Sequence, residues 1–281
     1  MEARECGLFI AVGSKGVGKT YRTMKELKNS VQSDESIGRQ GRNVLVLDAN
    51  NEFSSLIAIA YDVTEEDEHK RTAPLRALIG KRGLYRIAPF RVDRRAMSIT
   101  EIKRACIDMC NHFRFGTLVL EDYNRYINGA EAEELVSMLV TLRHRAVDCW
   151  IHLQSASPIS TRLWQNVNYI RFHKINDDVD RYKTRIPYEL IKIVQLAVNI
   201  QYNSGNKRYF TYVAVLDEQI LGMDPETFEK ACMAYLSKNK SILREYRNQV
   251  DFSSGNGKLY KTDKDAAIAF IAEMKQKYLV D

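Results

Sequence analysis

Gly13-Ser14-Lys15-Gly16-Val17-Gly18-Lys19-Thr20 reads G-x-x-x-x-G-K-T, a spacing suited to holding a chain of phosphates. Its glycines let backbone N–H groups turn inward around phosphate oxygens, and a helix opening at the end of the loop adds partial positive charge. Lys19 would reach the β- and γ-phosphates of a nucleoside triphosphate, and the Thr20 hydroxyl would ligate Mg²⁺. Such a loop needs a carboxylate at a neighbouring strand end to hold the metal, directly or through water. Asp48 ends one apolar run and Glu121-Asp122 ends another. The adjacent pair is preferred, because two acids can divide the work of holding the metal shell and polarising the attacking water. Their order, Glu then Asp, leaves open which one activates water. Gln154 ends a further run, where a neutral amide can hydrogen-bond both the γ-phosphate and the water. Arg143 and Arg145 close the helix before that run. From there a guanidinium could stabilise charge on the phosphates of a neighbouring subunit, or simply complement the helix C-terminal dipole.

These residues need elements to hold them. Leu8–Val12 is a short apolar run ending at Gly13, and the stretch after Thr20 lacks Gly and Pro. Strand, glycine loop and helix are thus expected in order. Further buried strands are expected at 43–48, 117–120, 149–154 and 168–172, with a short one at 83–89. Between them, helices are expected over about 53–60, 98–113 and 130–146, the second opened by Ser98 with Glu101 at capping-box spacing. Strands separated by helices imply a mostly parallel sheet covered on both faces. Gly- and Ser-containing stretches at 33–42 and 252–257 read as loops. Later come a helix over 187–202, a β-rich run over 209–216, and helices over 225–236 and 263–278.

The 281 residues suffice for one large α/β domain with additions. The chain divides in this reading into a nucleotide-binding domain over 1–216 and a C-terminal helical extension over 217–281. Five scattered cysteines suggest reduced thiols, with Cys106 and Cys110 as buried thiols rather than zinc ligands. No stretch has the apolar length of a membrane span and none reads as a signal peptide, so a soluble intracellular protein is expected. No Asn-Lys-x-Asp motif for reading guanine appears.

Taken in order, five features resemble the FtsK–HerA superfamily of DNA-pumping ATPases. They are the loop Gly13–Thr20, the run to Asp48 followed by Glu52-Phe53, the acidic end Glu121-Asp122, Arg143, and Gln154 eleven residues later. The match covers about residues 5 to 175, and the compact size is similar to genome-packaging ATPases of tailless or membrane-containing viruses and phages. The resemblance implies a P-loop NTPase fold of the additional-strand, recombinase-like type. It implies ATP and Mg²⁺ as cofactors and hydrolysis coupled to double-stranded DNA translocation, with Arg143 favoured over Arg145 as the trans-acting arginine. A homo-hexamer or similar ring, a capsid or portal vertex as a further partner, and a virion-associated or host-cytoplasmic location also follow from it. Conjugation- or segregation-type DNA pumps and zonula-occludens-toxin-like assembly factors that use ATP as a switch are the alternatives.

Between Lys70 and Arg114 twelve basic residues face three acids, a local excess of +9 against +6 for the whole chain. Such clusters bind nucleic-acid backbones by neutralising phosphates. Arg82, Arg86, Arg94 and Arg95 are the expected DNA contacts, with a plain solvated surface as the alternative.

Overall fold

The computed structural model describes residues 6–33, 40–126, 131–184, 186–251 and 257–280. Most of the two expected loops, 33–42 and 252–257, lies outside them. The chain forms two compact units, residues 1–169 and 170–281.

The first unit contains β1 (Leu8–Val12), α1 (Lys19–Val31), β2 (Asn43–Leu47), β3 (Ile57–Ala58), α2 (Glu68–Arg76) and β4 (Gly83–Ile87). It continues with α3 (Ile99–His112), β5 (Gly116–Leu120), α4 (Glu131–Thr141), β6 (Val147–Leu153) and α5 (Thr161–Trp164). Its strands lie in the order β3-β4-β2-β5-β6-β1, and every pair is parallel. All five residues of β2 and of β5 are buried, as expected of central parallel strands covered on both faces. Leu27 of α1 packs with Val44, Val46 and Val119 on one face of the sheet. The register sets β6 between β1 and β5, pairing Leu8 with Cys149 on one side and Gly116 with Val147 on the other. This is the additional-strand arrangement of a P-loop NTPase, and the fold is of that class.

Two expected helices are corrected. After Asp48 the chain turns and reaches the two-residue β3 instead of running as a helix to residue 60. The Asp48 carboxylate accepts the backbone N–H groups of Glu52 (2.8 Å) and Phe53 (3.1 Å), offering these donors a side-chain partner in place of a helical carbonyl. The helix expected over 130–146 ends at Thr141, and Leu142–Arg145 tighten into a 3₁₀ turn. Ala146, with φ at 56°, then reverses the chain into β6. The Ser98–Glu101 capping box is present at the start of α3.

The second unit contains β7 (Tyr169–His173, beginning at the boundary), α6 (Tyr188–Asn203), β8 (Phe210–Ala214), β9 (Gln219–Leu221) and α7 (Pro225–Lys238). It closes with α8 (Lys240–Arg247), β10 (Val250–Asp251), β11 (Gly257–Lys258) and α9 (Asp263–Tyr278). Strands β8 and β9 are antiparallel, as are β10 and β11. Asp224 caps α7 through the Thr227 N–H at 2.8 Å, with Pro225 at the first helical position. Tyr235 of α7 stacks on Phe270 of α9 at 6.1 Å between ring centroids. Neither β9 nor α8 was expected from the sequence. Among the described residues no helix is long and apolar enough to cross a membrane.

Candidate active site

Parallel strands all end on the same edge of a sheet, so order decides which loops meet there. Gly13 follows β1, Gln154 follows β6, Glu121 follows β5 and Asp48 follows β2, and these four strands are consecutive neighbours.

Gly16 and Gly18 take φ values of 83° and 94°, a region that glycine enters without a Cβ clash. They wrap the loop into the start of α1, whose first turn has no side-chain cap. The helix therefore opens with backbone donors directed at the loop. The Lys19 ammonium donates to the carbonyls of Gly13 and, at 2.9 Å, Ser14. The buried Ser14 hydroxyl has no hydrogen-bond partner. A lysine folded onto its own loop and an unpartnered buried hydroxyl are groups that phosphate oxygens would satisfy.

The acids divide into two kinds. Asp48 is fully buried, holds the two turn amides and pairs with Arg86 at 2.6 Å. Glu121 is 5% exposed and, among the described residues, accepts only from neutral donors, the Asn50 backbone N–H at 3.0 Å and its Nδ2 at 2.9 Å. Burial pushes the Glu121 carboxyl up to about 7. The Asn50 hydrogen bonds oppose that shift, while the charges of Glu52 and Asp122 add to it. Asp122 stands in the left-handed region, φ 51° and ψ 43°, which Asp tolerates better than most residues. Its carboxylate accepts from Asn50 Nδ2 at 3.2 Å and from Gln154 Nε2 at 2.7 Å. Gln154 and the Glu121-Asp122 pair are thus brought together.

Two residues not picked as site residues from the sequence belong here. Asn50 holds both acids and is itself oriented by Arg125, whose Nη1 donates to Asn50 Oδ1 at 2.8 Å. Glu52 accepts the hydroxyl proton of Thr20. Both lie in the stretch after Asp48 that carried part of the family resemblance, and their partners Glu121 and Thr20 stand far from them in sequence.

Among the described residues no three His, Cys, Asp or Glu side chains converge into a metal site on their own. Mg²⁺ is held by one or two carboxylates with substrate phosphates and water completing its shell. The Thr20 hydroxyl and Glu52 carboxylate, with the Glu121-Asp122 pair at the same edge, supply the oxygen donors it takes.

The two candidate arginines part company. Arg145 donates to the Cys110 carbonyl and is partly buried. Arg143 is exposed and carries no hydrogen bond or ion pair from its side chain among the described residues.

The basic stretch is not one patch. Arg71 is buried against Asp108 at 2.7 Å, and Arg91 pairs with Glu101 at 2.9 Å. Arg86, expected as a DNA contact, is bound to Asp48 with 12% of its side chain exposed. Arg82, Arg94 and Arg95 are exposed. Arg82 precedes β4 while Arg94 and Arg95 sit in the turn beyond its other end, and five residues of strand span roughly 17 Å.

No family model matches this chain, and no curated protein matches its sequence. Solved structures do. The DNA-packaging ATPase B204 from Sulfolobus turreted icosahedral virus is 13% identical, covering 76% of this chain and 95% of that one with a TM-score of 0.49. The genome packaging NTPase B204 from Sulfolobus turreted icosahedral virus 2 in complex with ATP-gammaS is 11% identical over 76% and 95%, with a TM-score of 0.48. The N-terminal domain of zonular occludens toxin from Neisseria meningitidis is 12% identical over 62% and 79%, with a TM-score of 0.35.

Proposed function

We propose that this chain hydrolyses ATP with Mg²⁺ and couples the reaction to moving double-stranded DNA, as a ring motor that pumps a viral or phage genome into a preformed capsid. One observation carries the hydrolytic part. The phosphate loop, an acid pair with one member titrating near neutrality, and a strand-end glutamine bonded to that pair share one sheet edge. Lys19 would leave its loop carbonyls for the β- and γ-phosphates. Thr20 and Glu52 would hold Mg²⁺, which screens the phosphate charge. Glu121, near its midpoint of protonation at neutral pH, would take a proton from the attacking water, and Gln154 would orient that water. The DNA part is supported by the order of motifs resembling the FtsK–HerA superfamily, and the ring by the exposed Arg143. A surface guanidinium with no side-chain partner among the described residues suits a shared active site.

The test measures ATP turnover with and without double-stranded DNA on material of known oligomer mass. Lys19→Ala should abolish turnover and weaken ATP binding; unchanged turnover removes the phosphate-loop assignment. Mixing Lys19→Ala with Arg143→Ala subunits should restore part of the DNA-stimulated rate, because an intact loop then faces an intact arginine. Arg143-dependent activity in a verified monomer would sink the ring.

A further inference from the structure

A groove of about 530 Å³ in the second unit lies apart in sequence from every residue assigned above. Its lining includes Lys240, Arg244, Arg247, Lys258 and Asp263, with Leu243 among them. Four cations thus meet one acid, and that acid is engaged, since Arg247 Nη1 donates to Asp263 at 2.8 Å. The Lys261 carbonyl takes a second bond from Arg247 at 3.3 Å, so this guanidinium is fixed in place, and its buried Nε has no partner. Lys240, Arg244 and Lys258 are exposed and carry no ion pair or side-chain hydrogen bond among the described residues.

From these features we infer that the groove binds the phosphate backbone of a nucleic acid. Lys240, Arg244 and Arg247 stand at i, i+4 and i+7 of α8, on one helix face. At 1.5 Å per residue they span roughly 10 Å. Phosphates of one strand of B-form DNA recur every ~3.4 Å of axis, so the run of three cations spans about three phosphate steps and is long enough to contact several phosphates of one strand. Lys258, on β11, supplies a fourth charge from a different element. An acidic protein segment fits less well. Protein interfaces centre on buried apolar anchors, and no large hydrophobic side chain of α8 is among the exposed ones. The inference rests on the DNA reading above only for the identity of the polymer.

The full chain is tested as wild type, as Lys240→Gln/Arg244→Gln/Lys258→Gln and as Arg244→Glu, each checked by its thermal melt and by basal ATP turnover. Binding to a short duplex DNA is followed across a salt series, with poly-glutamate as competitor. Wild type should bind with a steep salt dependence. The triple variant should lose about 0.9 in log–log slope for each phosphate contact removed, with basal turnover unchanged, and Arg244→Glu should bind more weakly than wild type. If wild type binds and both variants match it in affinity and slope, the groove is not the contact, and the DNA reading stands without it. If wild type fails to bind the duplex at low salt, both fall. Poly-glutamate that displaces the duplex at equal charge overturns the inference in favour of an acidic protein.

Discussion

Strands β2 and β5 are neighbours, equally long and equally buried, and each delivers a carboxylate to the same edge. The fates of those carboxylates differ. Asp48 meets a guanidinium and two backbone amides, and its charge is neutralised inside the fold. Glu121 meets only amide donors and two further negative charges. The arginines before β6 repeat the contrast, with Arg145 bonded to a carbonyl of its own unit and Arg143 exposed without a side-chain partner among the described residues. Residue type and strand-end position do not separate framework from chemistry in either pair. The partners do: a charge already compensated holds the edge together, and a charge left uncompensated is available to a ligand.

Breaking the uncompensated member should have the largest effect. Glu121→Gln should lower hydrolysis by up to ~10⁴ while ATP still binds, as expected on losing a general base. A single-turnover assay beside an equilibrium titration separates the two quantities; equal activity in the variant would transfer the role to Asp122 or Glu52. Arg143→Ala should cost on the order of 10³ in rate. Arg145→Ala should leave catalysis intact and lower the melting temperature instead, and the reverse pattern would exchange their roles.

The compensated pair should respond in stability. Arg86→Ala leaves Asp48 fully buried without its cation, and breaking a buried pair from one side costs about 3–5 kcal/mol. Denaturant melts would register this as a lower midpoint. Unaltered stability would mean that Asp48 is not held as described.

The smallest effect is a pH dependence of opposite sign to the usual carboxylate. Glu121 is raised from 4.5 to about 7 on folding. Between those values the native chain binds the extra proton, so stability falls as pH rises through the window and the full penalty applies above about 7. At 1.36 kcal/mol per unit the penalty is ~3 kcal/mol at most. Melts of the nucleotide-free and metal-free chain should therefore show Glu121→Gln more stable than wild type at pH 8 and the two alike near pH 4. A wild-type curve without that slope would remove the unpaired-charge account of Glu121.

The sequence made one side of these comparisons plain. The phosphate loop announces itself because its glycines and lysine are fixed in spacing by the ligand they surround, and the central strands are legible because burial on both faces demands unbroken apolar runs. Partners are not local in this way. Arg86 stands 38 residues from Asp48 and Asn50 stands 71 from Glu121, so nothing near Arg86 marks it as internal and nothing near Glu121 marks it as unneutralised. The stretch 53–60 was misread as helix because one side chain, Asp48, captures the amides of Glu52 and Phe53 at its start. Strand β9 and helix α8 are short, three and eight residues, and tertiary packing rather than propensity sustains elements of that length.

The place of β6 in the sheet also constrains how the chain is made. Strand β1 leaves the ribosome well before its hydrogen-bonding neighbour on one side, which begins some 140 residues later, where Leu8 meets Cys149. At 5–20 residues per second, β1 waits on the order of ten seconds for that strand. Until then the nascent chain carries an apolar strand with that edge unpaired and a phosphate loop with no glutamine beside it. The strand that completes this edge is made only after β1 to β5. Truncations ending before residue 147 should accordingly be retained by holdase chaperones during synthesis, and release should coincide with the appearance of β6.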